Sequence, residues 1–490
     1  MPTFISELRA RSRFIQHVVS TFGISVLQQI VGLGRQILIA AYFGLSRQYD
    51  QYLVVYAVAS ITVFNLSSVF DTVAVSRLVQ VRETEGDAAF WRSSNRLLLQ
   101  TFIGGVLFSV GLYVAIKVLM PVIAAGFSDD ERASVMKLAL YFLPWILVIV
   151  PYYAVSAHLK ALWKFHWVFG GEIVVIVVSA FALWLRHDKI ECLPVAYGFG
   201  YLVVFAFLLL YRGIHRRNGA GHPVKLLGLM ANQSLANQIG SIAGFVDRYF
   251  QSYLPVGGIS ALGYTGQIVN NLSSLMTFRE IYVVPLSVEA GRSERLERML
   301  QGVVLISIPC VLFVAEFAKP IVAVLFQRGN FTSDAAILTG DVLRIMAFSL
   351  VISSILAPMV RIFQILGRIS YSHILYFVSL VCTAAFQYIL VFRMGLGVYG
   401  VAWAALANSA VVTFVVAGLV QHCGIHINWG KIFNQAAFAS CLGGLAMVLA
   451  WPFALHFSGL IAVIGGSAVF GATIAVGYFF SRARLRLIIG

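Results

Sequence analysis

The sequence predicts an all-α polytopic membrane protein of about fourteen transmembrane helices, arranged as two six-helix halves plus two C-terminal helices. Three observations lead there. The 490 residues are 60% hydrophobic and only 11% charged, with mean hydropathy +0.87, far from the balance of a soluble domain. The apolar residues gather in runs that suit a hydrocarbon core about 30 Å thick, which needs roughly 20 residues per crossing and about 35 with the connections. The basic residues stand in short clusters between these runs, so the net charge of +15 is a topology signal and implies no nucleic-acid partner.

The elements follow in order. Arg9, Arg11 and Arg13 precede the first run, 18–42, as in a signal peptide, but the run is too long and no small-residue cleavage site follows it. It is expected to stay as the first helix. The second run, 51–79, closes at the charged "SRLVQVRETEGD", and the third, 97–120, is followed by "FSDDER", 127–132. There Ser128 with acidic residues behind it reads as a capped helix start, although paired carboxylates in a loop would also suit a membrane glycosyltransferase. The fourth run, 135–160, stops at Lys160 and Lys164, and the fifth, 167–185, at Arg186 and Lys189. The sixth, 193–212, runs into the basic linker "YRGIHRRNGAGHPVK", 211–225. Then come 226–254 and 259–288, closed by "EAGRSERLER", and 299–326, closed by "QRGNFTSD". In that corner Gly329 suits a left-handed turn and Thr332 or Ser333 can cap the next helix. The last runs are 335–363, 370–392, 396–421, 433–455 and 458–480, separated by Arg361 and Arg368, by Arg393 and by Lys431.

Fourteen crossings put both termini on one side. With the N-terminus inside, 22 lysines and arginines fall in inside segments and 8 outside, an asymmetry that one span more or fewer would scramble. The chain also repeats: "NLSSVF" at 65–70 and "NLSSLM" at 271–276 hold matching places in successive six-helix blocks. Residues 1–220 form the first half, 221–425 the second, and 426–490 the two added helices. Parallel halves of this kind enclose a binding cavity in transporters.

Charges at bilayer depth cost about 2.5–3.5 kcal/mol on insertion scales, so those present ask for a reason. Asp341 with Arg344, and Glu316 with Lys319, are spaced i,i+3 and are expected to pair locally. Glu172, near a span end, is expected to snorkel. Arg35 has no acidic residue within four positions, so it must find either a substrate or a partner on another helix, such as Asp71. Asp247 and Arg248, in "FVDRYF", lie on the helix equivalent by repeat to that of Arg35, pointing about 100° apart. Arginines reaching a cavity from both halves suit a diphosphate, because guanidinium forks grip phosphate oxygens in pairs.

No nucleotide-binding loop or metal-binding spacing occurs, so no catalysis and no cofactor are expected beyond sodium or proton coupling. Cys192, Cys310, Cys382, Cys423 and Cys441 are scattered and read as small hydrophobes.

"KPIVAVLFQRGNFTSDAAILTGDVLRIMAFSLVISSILAPMVRIFQILG", 319–367, resembles a signature region of the MurJ (MviN) lipid II flippase family in the MOP transporter superfamily. "DRYFQSYLPVGGISALGYTGQI", 247–268, and "GLGRQILIAAYFG…YDQYLVVYAV" resemble the same family's seventh-to-eighth span region and N-terminus. The resemblance implies alternating access for a polyprenyl-diphosphate-linked oligosaccharide. It implies substrate contacts at Arg35, Arg248, Arg279, Asp50 and Gln267, and a cation site at Asp247 with Gln387. Gln29 and Gln267 stand where the family carries arginines, which favours an exopolysaccharide or O-antigen unit over lipid II, with Arg279 compensating. The expected setting is the bacterial inner membrane with both termini cytoplasmic, as a monomer that works beside envelope polysaccharide enzymes. The rival readings are a membrane-embedded glycosyltransferase or ligase, which would need a larger outside loop, a non-catalytic scaffold in an envelope-building complex, which would need no cavity arginines, and a multidrug antiporter of the same superfamily.

Overall fold

The structure, a computed structural model, describes residues 23–24, 26–213, 242–276, 291–366, 368, 370–457, 459–481 and 484. Among these residues there is no strand, and twelve helices are long and apolar enough to cross a membrane. The expected seventh and eighth spans extend into residues outside the described set; their described parts are helices 242–251 and Gly258–Met276.

Backbone contacts divide the chain into two compact units, Met1–Tyr42 with Gln51–Ser241, and Phe43–Asp50 with Ile242–Gly490. The last two helices pack inside the second unit and form no third body.

The first unit holds α1 (Val26–Phe43, of which Phe43 belongs to the second unit), most of α2 (Arg47–Val69), α3 (Val75–Ile123), α4 (Asp129–Ala161), α5 (Phe165–Leu185) and α6 (Cys192–Arg212). Helix α3 shows how sequence becomes a lipid-facing element. Leu97, Thr101, Gly105, Ser109, Leu112, Ile116 and Met120 form a buried stripe at helical spacing. Leu99, Ile103, Val106, Val110, Val114 and Val118 stay exposed on the other face, apolar where the surroundings are hydrocarbon. Small Gly105 and Ser109 let the backbone approach α4, which is how helices associate where no hydrophobic effect drives them together. The helix breaks at Gly86 (φ 83°), so Val75–Glu85 continues α2 across a π-helical stretch, Phe70–Ala74. Ser128 caps α4 as the sequence suggests: its Oγ accepts from the Glu131 amide and Glu131 accepts from the Ser128 amide.

The second unit contains α7 (242–251), α8 (Gly258–Met276), α9 (Arg292–Glu316), α10 (Ala318–Phe326), α11 (Ser333–Ala347) and α12 (Ser349–Ile365). It continues with α13 (Ser370–Gln387), a π-helical stretch Tyr388–Arg393, α14 (Gly397–His422), α15 (Trp429–His456) and α16 (Gly459–Phe480). Its core joins Leu296, Leu300 and Val304 of α9 to Ile362 and Phe363 of α12 and Val416 and Val420 of α14. Phe317, Ala446, Ala450 and Phe470 fasten α15 and α16 to it.

The "QRGNFTSD" corner is built as expected: Gly329 has φ 55° and Thr332 Oγ1 accepts from the Ala335 amide. Gly44 (φ 53°) lies against this corner so closely that a Cβ would strike the Asn330 carbonyl. Here the structure departs from the sequence expectation about charges. The local pairs are replaced by crossed ones, Lys319 Nζ to Asp341 Oδ1 at 3.0 Å and Arg344 Nη2 to Glu316 Oε2 at 3.2 Å. The bend at Phe317 between α9 and α10 brings the ends of these helices beside α11, where each charge finds an opposite partner.

Candidate functional site

In the first unit, α1 places Arg35 over the ring of Tyr197 on α6, with the guanidinium carbon 4.5 Å from the ring centroid. Such cation–π contacts contribute about 0.5–2 kcal/mol. They orient a guanidinium but satisfy none of its N–H groups. Nε and Nη1 of Arg35 are buried and have no hydrogen-bond partner. No carboxylate pairs with Arg35 among the described residues. The interhelical alternative, Asp71, is engaged elsewhere: the π-helical stretch carries it to Lys160 of α4, 2.7 Å away. Arg35 is therefore a cation inside a membrane unit with two donors that no described group accepts and no carboxylate beside it among the described residues.

An aromatic wall continues from Tyr197. Tyr56 and Trp145 stack with centroids 6.2 Å apart, Trp145 meets Tyr197 at 5.7 Å and Tyr201 at 6.4 Å, and the Trp145 indole N–H is buried without a partner. Nothing in the sequence tied these rings to Arg35. The usable signal is the density of tyrosines on α2, α4 and α6, whose hydroxyls give a span interior both stacking faces and hydrogen bonds.

Glu172 corrects another expectation. It does not snorkel at a span end but turns inward, where its Oε2 accepts from Gln28 Nε2 of α1 at 2.7 Å.

In the second unit, Asp247 and Arg248 are joined through a third residue. Gln251 Nε2 donates to Asp247 Oδ2 at 2.6 Å, and Arg248 Nη1 donates to Gln251 Oε1. Gln387 Nε2, at the start of the π-helical stretch in α13, donates to Asp247 Oδ1. Asp247, Arg248 and Gln387 thus form one network through Gln251, joining a residue expected to contact substrate to two expected to hold a cation. As arranged, both carboxylate oxygens accept from amide N–H groups, whereas a hard cation needs a cage of oxygens, and the Gln387 Oε1 is buried without a partner. Among the described residues no group of three or more His, Cys, Asp or Glu could hold a metal.

Asp50 and Gln267 have partners of their own. Asp50 is fully buried, and its carboxylate accepts from the Gly257 amide (2.7 Å), the Ser260 amide (2.8 Å) and the Ser260 hydroxyl (2.6 Å). These are the contacts of a cap on the N-terminus of α8, favoured by the helix dipole, and they engage both carboxylate oxygens within the fold. Gln267 Nε2 donates to Asn271 Oδ1 at 3.1 Å on α8. Arg279 lies outside the described residues.

The family described as Lipid II flippase MurJ matches residues 39–464. A curated relative, the probable lipid II flippase MurJ of Aquifex aeolicus (strain VF5), is 25% identical over 456 residues, covering 89% of this chain and 88% of its own. Among solved structures, an inward closed conformation of lipid II flippase MurJ superposes with a TM-score of 0.79 at 16% identity, covering 96% of this chain and all of its own. An inward-facing multidrug resistance MATE transporter of the MOP superfamily reaches 0.60 at 15% identity over 81% of this chain and 94% of its own. At such identities the structural likeness establishes the shared fold.

Proposed function

The chain belongs to the MurJ lipid II flippase family, and on that footing we propose that it moves a polyprenyl-diphosphate-linked oligosaccharide across the bacterial inner membrane by alternating access, with Arg35 holding the diphosphate. The observation that carries the reading is the pair of unpartnered guanidinium nitrogens on Arg35. A phosphate arriving there supplies acceptors to donors that the fold leaves empty. Bidentate charge-assisted contacts of this kind are the strong ones. The aromatic wall beside Tyr197 offers ring faces for the sugar that follows the diphosphate. Family membership favours this transport role over a ligase or a drug antiporter. The direct test is movement of a fluorescent polyprenyl-diphosphate glycan by the purified chain in vesicles.

Within that substrate class, lipid II or an export oligosaccharide unit, the polar positions Gln29 and Gln267 favour the export unit. Gln29, with a buried, unpartnered Oε1, and Gln267, paired with Asn271, are neutral amides at the positions where the family resemblance implies arginines. Amides read sugar hydroxyls better than phosphates. Asp247 acts as a gate, its carboxylate locked by Gln251 and Gln387. Asp247→Asn should slow flipping, and exchanging sodium for potassium should leave the rate unchanged in wild type and variant alike. Sodium-stimulated flipping by the wild type would contradict the amide lock.

Both termini face the cytoplasm in this reading, following the 22-to-8 distribution of basic residues. Reporter fusions after residues 220 and 490 should both give cytoplasmic signals. A reporter active only outside at either position would refute the fourteen-span topology.

A further inference from the structure

Resting on the flippase reading, we propose that Glu172 is a proton-carrying group of the first unit, taking up a proton from water on one side of the membrane and returning it on the other as the glycan crosses. The carboxyl sits inside the unit on α5, held by Gln28 from α1 at 2.7 Å. No cation pairs with it among the described residues. Lys160, whose charge reaches Glu172, is itself bound to Asp71 at 2.7 Å, and Arg35 lies over Tyr197. A carboxylate at bilayer depth without an ion pair of its own can reach neutrality by accepting a proton.

Its surroundings suit that exchange. From α4, Tyr152, Tyr153 and Lys160 lie within electrostatic reach; α6 contributes Tyr201, and the π-helical stretch contributes Asp71. The Tyr153 hydroxyl bonds to Ser67 of α2, and the Tyr152 hydroxyl is buried without a partner. Phenol hydroxyls both donate and accept, so they can face either the ionised or the protonated carboxyl without rearrangement of the helices. Asp71, paired with Lys160, is exposed at the edge of this cluster. The step is proton exchange alone: water protonates the carboxylate, the acid later returns the proton to water, and no bond of the glycan lipid changes.

The experiment uses the full chain in vesicles with a fluorescent polyprenyl-diphosphate glycan. A proton gradient imposed at zero potential should speed wild-type flipping several-fold. Glu172→Gln, similar in shape but unable to carry the proton, should flip at the gradient-free rate whatever the gradient. Infrared spectra across a pH series should show a protonated-carboxyl band in the wild type that is lost in Glu172→Gln. Gln28→Leu keeps the carboxyl but removes a donor to its ionised form, so the pH of half-maximal response should rise. A wild type that ignores the gradient, a Glu172→Gln variant that responds in full, an absent band, or an unmoved half-response in Gln28→Leu each overturns the proposal. If the wild type moves no glycan under any gradient or potential, the flippase reading fails, and the infrared band still decides whether Glu172 takes up a proton.

Discussion

Arg35→Ala is expected to abolish flipping while the protein reaches the membrane at normal abundance. The alanine removes two donors that no group in the fold uses, so folding loses the contact with Tyr197 and little else. Transport loses the clamp on the diphosphate. Two charge-assisted hydrogen bonds at about 1.5–3 kcal/mol each correspond to a loss on the order of a hundredfold or more. Arg35→Lys keeps the charge without the planar fork and should retain weak transport. If Arg35 served structure instead, its removal would strand a carboxylate and depress abundance, and Asp71→Asn would rescue it. Because Asp71 is bound to Lys160, no rescue is expected. Flipping and abundance measured in the two single variants and the double variant separate these outcomes.

Asp50→Ala should act the opposite way, through stability. The side chain is fully buried and accepts three hydrogen bonds at the start of α8. Its removal leaves two backbone amides and a hydroxyl without acceptors. Breaking a buried charged network by removing one partner costs about 3–5 kcal/mol, comparable with much of a domain's net stability. Membrane abundance and thermal unfolding temperature should both fall. Normal abundance and unfolding temperature together with lost flipping would instead return Asp50 to the substrate contact that the family resemblance implies.

The contrast between these two residues marks what the sequence could disclose. Arg35 was legible because a cation in an apolar run without a nearby acid is conspicuous along the chain itself. Asp50 was legible only as an acid at the start of a span, since the groups it caps lie 207 and 210 positions away. The capping corners at Ser128 and Thr332 follow from turn chemistry and stand where the sequence places them, while the expected runs 299–326 and 335–363 are each divided in two, at Phe317 and Phe348. The ion pairs are not local properties. Glu316 and Lys319 looked like partners by spacing, yet each pairs with a residue on α11 once the chain bends at Phe317. Glu172 likewise looked peripheral by its position in the run, while the face it turns to Gln28 depends on how α5 packs. Family motifs carried kinship further than mechanism, because the strongest of them, around Gly329, is a structural corner.

Flipping of a labelled polyprenyl-diphosphate glycan by the purified chain in vesicles, set against the matching polyprenyl-monophosphate glycan, tests the central claim most directly. Time-dependent transfer of the diphosphate lipid well above protein-free vesicles is expected, with slower transfer of the monophosphate lipid and loss of both the transfer and the preference in Arg35→Ala. Transfer no faster than in protein-free vesicles, or equal rates for the two lipids that persist in Arg35→Ala, would contradict that claim.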